Sequence, residues 1–559
     1  MPKTMELARD ILRRHFAYDD FRPGQIDVVA SVLDGNDTLG VLPTGGGKSL
    51  CYQVPALARS GLTVVISPLI SLMKDQVDRL VSRGVAATLL NSTLGGGEVS
   101  SRLALVARGE IKLLYVAPER FEAEDVQHCI RRSGISLLAV DEAHCISEWG
   151  HDFRPSFRRI AEVSLKVGRP QLVALTATAT PRVRRDIVTQ LEMRRARVIV
   201  SGFDRSNLHY SVRSCRTDVD KDRALLETVK SHQRPAIVYA STRASVERIA
   251  KLLTRSGGGL RALPYHAGLD DSDRHTMQEA FMKGDCDTIV ATNAFGMGID
   301  KPDVRLVVHY ALPGTLEAYY QEAGRAGRDG TASRCVLLHA HKDRFTHEWF
   351  IRGMYPERAS VEQVYENFCT AHVGGRIDRA PPGRDVASAI RLLERERVVM
   401  QRRATGTLVH VRLLATPVRI RRELGREDAS SALDLGVLRS LWRVVGSALE
   451  RGVAVNLDGL PPGIGGAMAH TALERLRGRQ FVDFRCLDEG LYLTRPEAPL
   501  AHFQIDWAAL SRRRVADLDK LQMMQNYAYT KQCRRAFVLR YFGETRASRR
   551  CGGCDNCLP

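Results

Sequence analysis

The sequence contains no apolar run that approaches the roughly 18 residues of a membrane-spanning helix. Its first residues, Met-Pro-Lys-Thr-Met-Glu-Leu, also lack the basic-then-apolar pattern of a secretory signal. We therefore expect a cytoplasmic protein with no membrane partner, in a compartment where disulfide bonds are rare. Cysteine is scarce, with 12 in 559 residues, and 4 of these fall in the last 27. That crowding favours a metal site over disulfide crosslinks.

Acidic residues are outnumbered by basic ones. Asp and Glu total 64 against 82 Lys and Arg, which leaves a formal net charge of +18. A soluble chain this basic usually binds a polyanion, most often a phosphate backbone. The alternative at this point is an arginine-rich composition that serves no ligand. The length predicts three or four domains, and a hydrophobic content of 44% supports well-buried cores.

A phosphate-binding loop is predicted near the N-terminus. An apolar strand over residues 38–42 runs into a glycine-rich segment, and a helical pattern resumes behind it. The segment reads Pro43-Thr44-Gly45-Gly46-Gly47-Lys48-Ser49. Its backbone N–H groups can surround phosphates, Lys48 can reach the β- and γ-phosphates, and the Ser49 hydroxyl can hold Mg²⁺. Leu42 stands where the commonest form of the motif has its first glycine.

Further apolar runs alternate with helical patterns, which predicts a doubly wound parallel α/β domain. The runs cover residues 62–66, 111–116, 137–141 and 171–175. Ligand residues gather at the carboxyl ends of the strands in such a sheet, where the third run delivers Asp141 and Glu142. We expect Asp141 to hold Mg²⁺ and Glu142 to orient and deprotonate an attacking water. A plain surface acid pair is the alternative interpretation.

A second parallel α/β domain is predicted over roughly residues 206–340, after a pause near 202–206. Its apolar runs cover residues 235–240, 261–265, 286–291, 305–310 and 333–338. This half has no glycine-rich phosphate loop, but Arg325 and Arg328 can share one face of a helix or turn. They can neutralise the γ-phosphate in the first domain's site. The alternative is a surface pair in an arginine-rich chain.

Aromatic side chains follow the acid pair directly. The stretch reads Asp141-Glu142-Ala143-His144-Cys145-Ile146-Ser147-Glu148-Trp149-Gly150-His151-Asp152-Phe153-Arg154-Pro155. Trp149, His151, Phe153 and Arg154 are suited to stacking and cation contacts with bases. One short stretch therefore joins a predicted ATP site to a predicted nucleic-acid contact.

Four cysteines end the sequence: Cys533, Cys551, Cys554 and Cys557. Their spacing, C-x17-C-x2-C-x2-C, suits tetrahedral Zn²⁺ held by four thiolates. Four free cysteines at a frayed tail are the alternative. Residues 507–532 are predicted to form the helix of this module.

These motifs resemble the RecQ branch of the superfamily 2 DNA helicases, nearly continuously over residues 5–345. The matching segments are Phe21–Gln25, Thr44–Ser49, Ser67–Gln76, Tyr115–Arg120, Asp141–Pro155, Thr176–Ala179, Tyr265–Leu269, Ala294–Pro302 and Gln321–Gly330. Pro-Thr-Gly-x-Gly-Lys-Ser is a form of the phosphate loop that many helicases use, and Asp-Glu-Ala-His is a DEAH box. The segment 149–155 is the most RecQ-specific, since other superfamily 2 branches lack this aromatic loop. The zinc site of the family also has nearly the same sequence as this cysteine segment.

The resemblance implies an ATP- and Mg²⁺-dependent DNA helicase that moves 3′→5′ on single strands, separates a duplex and serves DNA repair and recombination. It implies that the nucleotide is bound by the loop residues Thr44, Gly45, Gly46, Gly47, Lys48 and Ser49, and that the adenine is held by Tyr18, Arg22 and Gln25. Arg325 and Arg328 match the positions of arginine fingers.

The resemblance also assigns residues that join ATP to DNA. Trp149, Phe153 and Arg154 match the loop that senses single strands, with His151 beside them. His144 matches the DEAH histidine that links ATP to the second domain. Met297, Asp300 and Lys301 match a motif that touches both DNA and nucleotide. The implied partners are single-stranded and tailed duplex DNA of any sequence, with single-strand-binding or recombination proteins as candidate protein partners.

Residues 346–506 depart from the common RecQ layout, in which the zinc module follows the motor almost at once. Helices are predicted at 384–396, 435–450 and 465–478, and strands at 397–403, 407–414, 480–486 and 491–494. Each half then reads as helices followed by a β-hairpin, the order of a winged helix. Exposed arginines are predicted at Arg402, Arg403, Arg419, Arg421, Arg422, Arg475, Arg477 and Arg479. Winged helices bind DNA in many proteins and only pack against a neighbour in others.

The expected fold is α/β: two RecA-like parallel-sheet motor domains, then predominantly helical winged-helix-like segments and a small zinc-binding module. The expected boundaries are 1–205, 206–345, 346–430, 431–506 and 507–559. The leading function is an ATP-dependent 3′→5′ DNA helicase.

Two further functions stay open at this point. One is a DNA-stimulated translocase or annealing protein with weak unwinding, because the usual wedge hairpin is missing. The other is a DNA-binding protein whose ATP site is only a switch, against which the intact Lys48, Asp141, Glu142, Arg325 and Arg328 argue.

Overall fold

The structure is a computed structural model. It describes residues 2–43, 45–150, 152–257, 260–296, 301–373, 376–377, 384–402, 408–424, 429–461, 464, 466–486, 490–495, 498–544 and 550–558. The chain divides into two compact units. One contains residues 1–349 together with 513–559, and the other contains residues 350–512.

The first α/β domain is built on a seven-stranded sheet in which every neighbouring pair is parallel, in the order β3-β4-β2-β5-β6-β1-β7. Its strands are β1 (Thr38–Val41), β2 (Leu62–Ile66), β3 (Ala87–Leu90), β4 (Leu113–Val116), β5 (Ile135–Val140), β6 (Gln171–Thr176) and β7 (Arg197–Val200). Its helices are α1 (Pro2–Phe16), α2 (Gln25–Leu33), α3 (Leu50–Ala58), α4 (Ile70–Ser82), α5 (Gly96–Ala107), α6 (Pro118–Phe121), α7 (Glu124–Ser133), α8 (Ile160–Lys166) and α9 (Pro181–Gln190), with 3-10 turns at Ala143–Ile146 and Pro155–Arg159.

The second α/β domain has six strands, also parallel throughout, in the order β10-β11-β9-β12-β13-β8. Its strands are β8 (Leu208–Ser214), β9 (Ala236–Tyr239), β10 (Ala262–Tyr265), β11 (Thr288–Ala291), β12 (Leu306–His309) and β13 (Ser333–His339). Its helices are α10 (Asp218–Ser231), α11 (Arg243–Arg255), α12 (Asp271–Lys283), α13 (Leu316–Ala323) and α14 (Asp343–Met354). The prediction of two parallel-sheet α/β domains is therefore confirmed.

Three strands of the two α/β domains were not predicted, β3, β7 and β8, and all three lie at the edge of a sheet. Strand β8 alternates apolar and polar residues, which is the pattern of an edge strand with one solvated face and not of an apolar run. Strand β7 is apolar apart from Arg197 but mostly exposed, and β3 is fully buried, so polarity does not account for these two.

The unit of residues 350–512 contains two small antiparallel sheets, ordered β14-β15-β20-β16 and β18-β17-β19. Its strands are β14 (His372–Val373), β15 (Arg376–Ile377), β16 (Val399–Arg402), β17 (Leu408–Leu413), β18 (Val453–Asn456), β19 (Val482–Cys486) and β20 (Gly490–Leu493). Its helices are α15 (Arg358–Ala371), α16 (Arg384–Arg395), α17 (Pro417–Leu424), α18 (Ala429–Val445), α19 (Ala448–Arg451) and α20 (Ala467–Gly478), with 3-10 turns at Leu457–Gly459 and Leu500–His502.

The two predicted hairpins of this unit are wrong. Strand β16 pairs with β20, so that Arg402 lies opposite Gly490, and β17 pairs with β19 rather than with β16. These pairs cross the predicted boundary at residues 430/431. The predicted turn residues 404–406 and 488–489 lie outside the described residues.

The hydrophobic cores explain this exchange of partners. Val409 and Val411 of β17 share one core with Val482 and Phe484 of β19. Val399 of β16 and Leu493 of β20 belong to a different core, which includes residues of α15 and α16. Burial of each strand's apolar face therefore outweighs the local turn signal. One module, residues 408–486, is inserted between the two strands of the other's β16–β20 pair.

The chain ends with α21 (Trp507–Tyr529) and α22 (Arg534–Tyr541). From residue 513 onward this segment belongs to the same unit as the two α/β domains. Among the helices of the described ranges, none is both long and apolar enough to cross a bilayer.

The nested strand pairing predicts the result of an excision. We expect that replacing residues 403–489 with Asn-Gly lets β16 and β20 close as a two-residue hairpin, because Arg402 and Gly490 already lie opposite each other. Circular dichroism and limited proteolysis should show a folded, protease-resistant protein. Removal of residues 431–506 is the comparison. It would be harmless if the two halves followed one another in sequence. Here it removes β20 from one sheet and β18 and β19 from the other, so we expect rapid cleavage. The reverse pattern of cleavage would contradict the nested topology.

Candidate active site, aromatic loop and zinc centre

The candidate active site lies where three parallel strands end. Strand β6 lies between β1 and β5, and all three run in the same direction. The phosphate loop follows β1, the acid pair follows β5, and Thr176 ends β6. The carboxyl ends of neighbouring parallel strands share one edge, so the topology brings Lys48, Asp141 and Glu142 together.

The glycines of the phosphate loop are required by its backbone. Gly45 and Gly47 have φ of +78° and +68°, a region that side chains rarely adopt. A Cβ on Gly46 would lie 2.8 Å from the Pro43 carbonyl oxygen. Lys48 and Ser49 follow and line the cleft, and α3 begins at Leu50. The predicted loop residue Thr44 lies outside the described residues.

The acid pair is buried and held by an unusual backbone. Glu142 has φ 47° and ψ 47°, a left-handed conformation that costs a non-glycine residue about 1–3 kcal/mol. The Asp141 carboxylate accepts a hydrogen bond of 3.0 Å from the Glu142 backbone N–H. Lys48 Nζ lies 3.9 Å from Glu142 Oε1. Burial, together with the Glu142 carboxylate, raises the pKa of Asp141 to about 6, although Lys48 opposes the shift.

His144 is fully buried beside the acid pair. Its Nδ1 lies 2.9 Å from Thr176 Oγ1 and 3.3 Å from Glu142 Oε2. Burial alone would lower the pKa of His144, but Cys145 and Glu142 outweigh burial and raise this pKa to about 10. These contacts connect the ends of β5 and β6 within the first domain. The link from His144 to the second domain stays a prediction.

The residues predicted to hold adenine line the cleft, but two of them also bind the phosphate loop. The Gln25 side-chain amide donates to the carbonyl oxygens of Gly46 and Gly47 at 2.8 and 3.1 Å. Arg22 Nη1 donates to the Gly45 carbonyl oxygen at 2.6 Å. Tyr18 is half-exposed at the rim. The first two side chains therefore fix the loop's shape, a role that sequence reasoning missed.

The second domain completes the cleft, which has a volume of about 480 Å³. Arg325 and Arg328 line it opposite Lys48 and the acid pair. A Cβ on Gly45 would lie 3.3 Å from Arg328 Cγ, so that arginine lies directly over the phosphate loop. Arg325 is buried, and no hydrogen-bond partner for its Nε is found among the described residues. Asp300, predicted to contact nucleotide, lies outside the described residues.

Two residues missed by sequence reasoning support the arginine segment. Arg205 donates to the carbonyl oxygens of Gly324, Ala326 and Gly327 at 2.8–3.0 Å. Asn207 donates to Gly327 at 2.8 Å. Both lie at the junction between the α/β domains, where the sequence shows only a pause in its pattern. Helix α4 also contributes unpredicted lining residues: Leu72, Asp75, Gln76 and Arg79.

The aromatic loop after the acid pair is covered by arginines of the same chain. The guanidinium of Arg182 lies 3.2 Å from the centre of the Trp149 ring. Phe153 has Arg158 and Arg513 at 5.2 and 4.7 Å from its ring centre. A base that stacked on the same face of the Trp149 ring would take the place of Arg182.

The remaining loop residues are also engaged. Arg154 donates to the Pro68 carbonyl oxygen at 2.8 Å and pairs with Asp152 at 3.1 Å. His151 lies outside the described residues. The structure therefore gathers Trp149, Phe153 and Arg154 in one loop but leaves their DNA contacts as predictions.

The four predicted cysteines come together. Their Sγ atoms all lie within 4.8 Å of one another, with Cys533–Cys554 and Cys551–Cys557 each at 4.0 Å. Tetrahedral Zn–S bonds of about 2.3 Å require sulfurs about 3.8 Å apart, so the cluster fits zinc. Backbone N–H groups of Ala536 and Gly553 donate to Cys533 and Cys551 sulfurs, which suits thiolates.

The cysteine module packs against both α/β domains. Asp555 accepts from the Val212 backbone N–H at 2.8 Å and from Arg534 at 2.5 Å. Phe542 stacks on Phe203, at the domain junction, with ring centres 4.5 Å apart. The Tyr541 hydroxyl donates to Glu317 at 2.6 Å. The module is thus integrated into the body that contains the active site.

Comparison with known families agrees with this geometry. The chain matches the DEAD/DEAH box helicase domain over residues 22–187, the helicase conserved C-terminal domain over 220–330 and the RecQ zinc-binding domain over 500–558. The crystal structure of the DUF1998 helicase MrfA with DNA and AMPPNP is similar in fold, with a TM-score of 0.52 at 18% identity, over 72% of this chain and 61% of that one.

Relatives with higher identity carry the RecQ name. ATP-dependent DNA helicase RecQ of Bacillus subtilis is 45% identical over 64% of this chain, and that of Pasteurella multocida is 43% identical over 60%. This chain spans 60% and 53% of the lengths of those two relatives. The probable ATP-dependent DNA helicase RecS of Bacillus subtilis is 41% identical over 64% of this chain and 72% of its own length.

A phosphate loop and acid pair on one parallel sheet, faced by two arginines from a second, define a two-domain P-loop protein of the DEAD/DEAH helicase class. The zinc-binding domain and the relatives narrow this class further. The chain belongs to the RecQ family.

The pKa of Asp141 predicts a pH-dependent effect of substitution. A folded-state pKa near 6, above the ordinary value near 4, means that the buried carboxylate destabilises the protein at pH 8. Asp141→Asn removes this charge but keeps an oxygen for the Glu142 N–H, so we expect a gain of ~2 kcal/mol at pH 8 that falls as the pH drops below 6 and is largely lost at pH 4, where the unfolded-state carboxylate also protonates. The gain in stability is measured by thermal unfolding at both pH values. The exposed-site variant Asp271→Asn is the control. An equal shift at both pH values would contradict the assignment.

The cysteine cluster predicts coupled loss of metal and stability. Cys554→Ser should reduce bound zinc well below one equivalent and lower Tm, because Cys554 is fully buried and adjoins Asp555, which is bonded to β8. Zinc content and thermal unfolding are measured beside Cys129→Ser, a cysteine outside the cluster. A full equivalent of zinc in Cys554→Ser would rule out a four-cysteine site.

Proposed function

We propose that this protein is an ATP-dependent 3′→5′ DNA helicase, which couples ATP hydrolysis to translocation on single-stranded DNA and to duplex separation. The observation that carries the proposal is the cleft itself. Arg325 and Arg328 of the second domain face Lys48, Asp141 and Glu142 of the first. A site divided between two domains makes hydrolysis depend on their closure, which is the basis of a motor. The relatives' names and the RecQ aromatic loop support DNA as the polymer along which the protein moves.

Each site residue then has a chemical role. Lys48 and the loop N–H groups bind the phosphates of ATP, while Ser49 and Asp141 are the residues that would hold Mg²⁺, which supplies charge neutralisation when bound. Glu142 orients and deprotonates the attacking water. Arg325 and Arg328 stabilise charge on the transferring phosphoryl group. Gln25, Arg22 and Tyr18 hold the adenine once the loop carbonyls release the Gln25 amide.

The DNA side of the proposal rests on the aromatic loop and on net charge. Trp149 and Phe153 offer stacking surfaces worth about 1–3 kcal/mol per base for any sequence, with His151 and Arg154 beside them. We place the protein in the cytoplasm on single-stranded and tailed DNA, in repair or recombination, with single-strand-binding or recombination proteins as candidate partners. The charge of +18 favours such a track.

Residues 350–512 are proposed to form two winged-helix-like modules, one inserted in the wing of the other. The inserted module offers DNA an arginine surface. Arg419 and Arg479 lie 4.8 and 5.1 Å from the centre of the Phe481 ring, and Arg421 and Arg422 border an open cavity. Arg475, in contrast, forms an ion pair of 2.6 Å with the buried Asp434, so we assign it to a contact within the module.

A second candidate function is a DNA-stimulated translocase or annealing protein with weak unwinding. The nested topology favours it, because the β16–β20 pair leads into another module where a wing would have its tip. Strand displacement separates the two candidates.

The test is displacement from 3′-tailed, 5′-tailed, forked and blunt duplexes, with ATP hydrolysis measured in the same reactions. We expect release from 3′-tailed and forked duplexes. Glu142→Gln should abolish hydrolysis, and Arg328→Ala should slow it by about a thousandfold, as loss of an arginine finger does. Arg334→Ala, an exposed arginine on β13, is the matched control. Hydrolysis without release on any substrate would favour the second candidate, and DNA binding without hydrolysis would contradict both.

A further inference from the structure

Helix α21 of the zinc module contacts the aromatic loop through a buried lysine. Lys520 is 9% exposed, and its Nζ donates to the Gly150 carbonyl oxygen at 2.7 Å. Asp517, one turn earlier on the helix, accepts from the same Nζ at 3.1 Å. An ammonium group buried to this extent is retained only where its hydrogen bonds are satisfied. Gly150 lies between Trp149 and Phe153, so this bond fixes the middle of the loop.

A second contact comes from the start of the same helical segment. Arg513 Nη2 lies 2.7 Å from Glu148 Oε1, and the Arg513 guanidinium covers the Phe153 ring at 4.7 Å. The Arg513 and Glu148 side chains are each 19% exposed, so water screens this pair less than a surface pair. Arg513 and Lys520 lie two turns apart on α21. They contact Glu148 and Gly150, the residues before and after Trp149 in the chain.

A series of hydrogen bonds connects Gly150 to the active site. The Gly150 N–H donates to the Ser147 carbonyl oxygen at 2.9 Å, and the Ser147 N–H donates to His144 at 3.2 Å. A Cβ on Gly150 would collide with the His144 carbonyl oxygen, so the backbone at Gly150 is packed closely against the backbone at His144. His144 in turn contacts Glu142 at 3.3 Å. A shift of Gly150 therefore reaches the residue assigned to activate water.

The other end of α21 is tied to the cysteine cluster. Arg534 donates to the Tyr527 carbonyl oxygen, at the end of α21, at 2.9 Å and to Asp555 at 2.5 Å. Asp555 follows Cys554 in the chain. One helix thus joins the candidate zinc centre to the aromatic loop.

We propose that Arg513 and Lys520 are positioning residues, which hold the aromatic loop in the geometry that couples DNA binding to ATP hydrolysis. This inference rests on the proposed function and extends it. The zinc module does more than stabilise the fold, because its long helix sets how much DNA is needed to stimulate the ATPase. Neither residue touches ATP, and both act through Gly150, Glu148 and Phe153.

The test compares variants of the full-length, zinc-loaded protein. We expect Arg513→Gln and Lys520→Met to raise, by about tenfold, the oligo-dT concentration that gives half-maximal ATPase stimulation, which is the effect of losing one charged hydrogen bond. The KM for ATP without DNA and the zinc content should stay within twofold of wild type. Arg513→Lys keeps a cation for Glu148 and should restore most of the stimulation. Arg512→Gln and Lys531→Met are the matched controls at exposed positions.

The outcomes are distinguishable. If the wild type shows no stimulation by DNA, the proposed function fails. If the wild type is stimulated and both variants match it, the positioning role is wrong. If Arg513→Gln and Arg513→Lys are equally impaired, the Glu148 contact is not the cause and the proposal is overturned. Arg513→Gln, at a half-buried site, decides the question if Lys520→Met fails to fold.

Discussion

The ATP site depends on one constraint, which is that three neighbouring parallel strands end at the same edge of a sheet. Strands β1, β6 and β5 deliver the phosphate loop, Thr176 and the acid pair to that edge. Burial there raises the pKa of Asp141, and Glu142 follows it in a left-handed backbone conformation. The second domain adds its arginines from the opposite side of the cleft. Under the proposed function neither half completes the chemistry alone, so we expect hydrolysis to depend on domain closure.

The residues after Glu142 pass directly from this edge into the aromatic loop. A 3-10 turn and two backbone hydrogen bonds, from Gly150 to Ser147 and from Ser147 to His144, connect His144 closely to Gly150. Helix α21 holds the same loop from outside, through a buried lysine. The nucleotide site, the candidate DNA loop and the cysteine cluster are therefore connected by short, packed contacts within one unit of the structure.

Motif chemistry predicted most of this site, because phosphate and metal ligands require particular residue types at strand ends. Prediction failed where the partner is distant in the chain. The sequence around Arg205 does not show that it supports residues 324–327. The sequence around Lys520 likewise does not show that it bonds to Gly150. Edge strand β8 was missed because its alternating polar residues do not read as an apolar run. Residues 404–406 and 488–490 resembled hairpin turns, yet burial of Val409 and Val399 in separate cores decided the pairing.

We propose that nucleotide and DNA bind to one coupled unit. Reciprocal binding measures this most directly, with a non-hydrolysable ATP analogue and a single-stranded oligonucleotide, each titrated in the absence and presence of the other. We expect DNA to tighten analogue binding about 5- to 150-fold and the analogue to tighten DNA binding by the same factor. Dissociation constants for the analogue that are identical with and without DNA would contradict it.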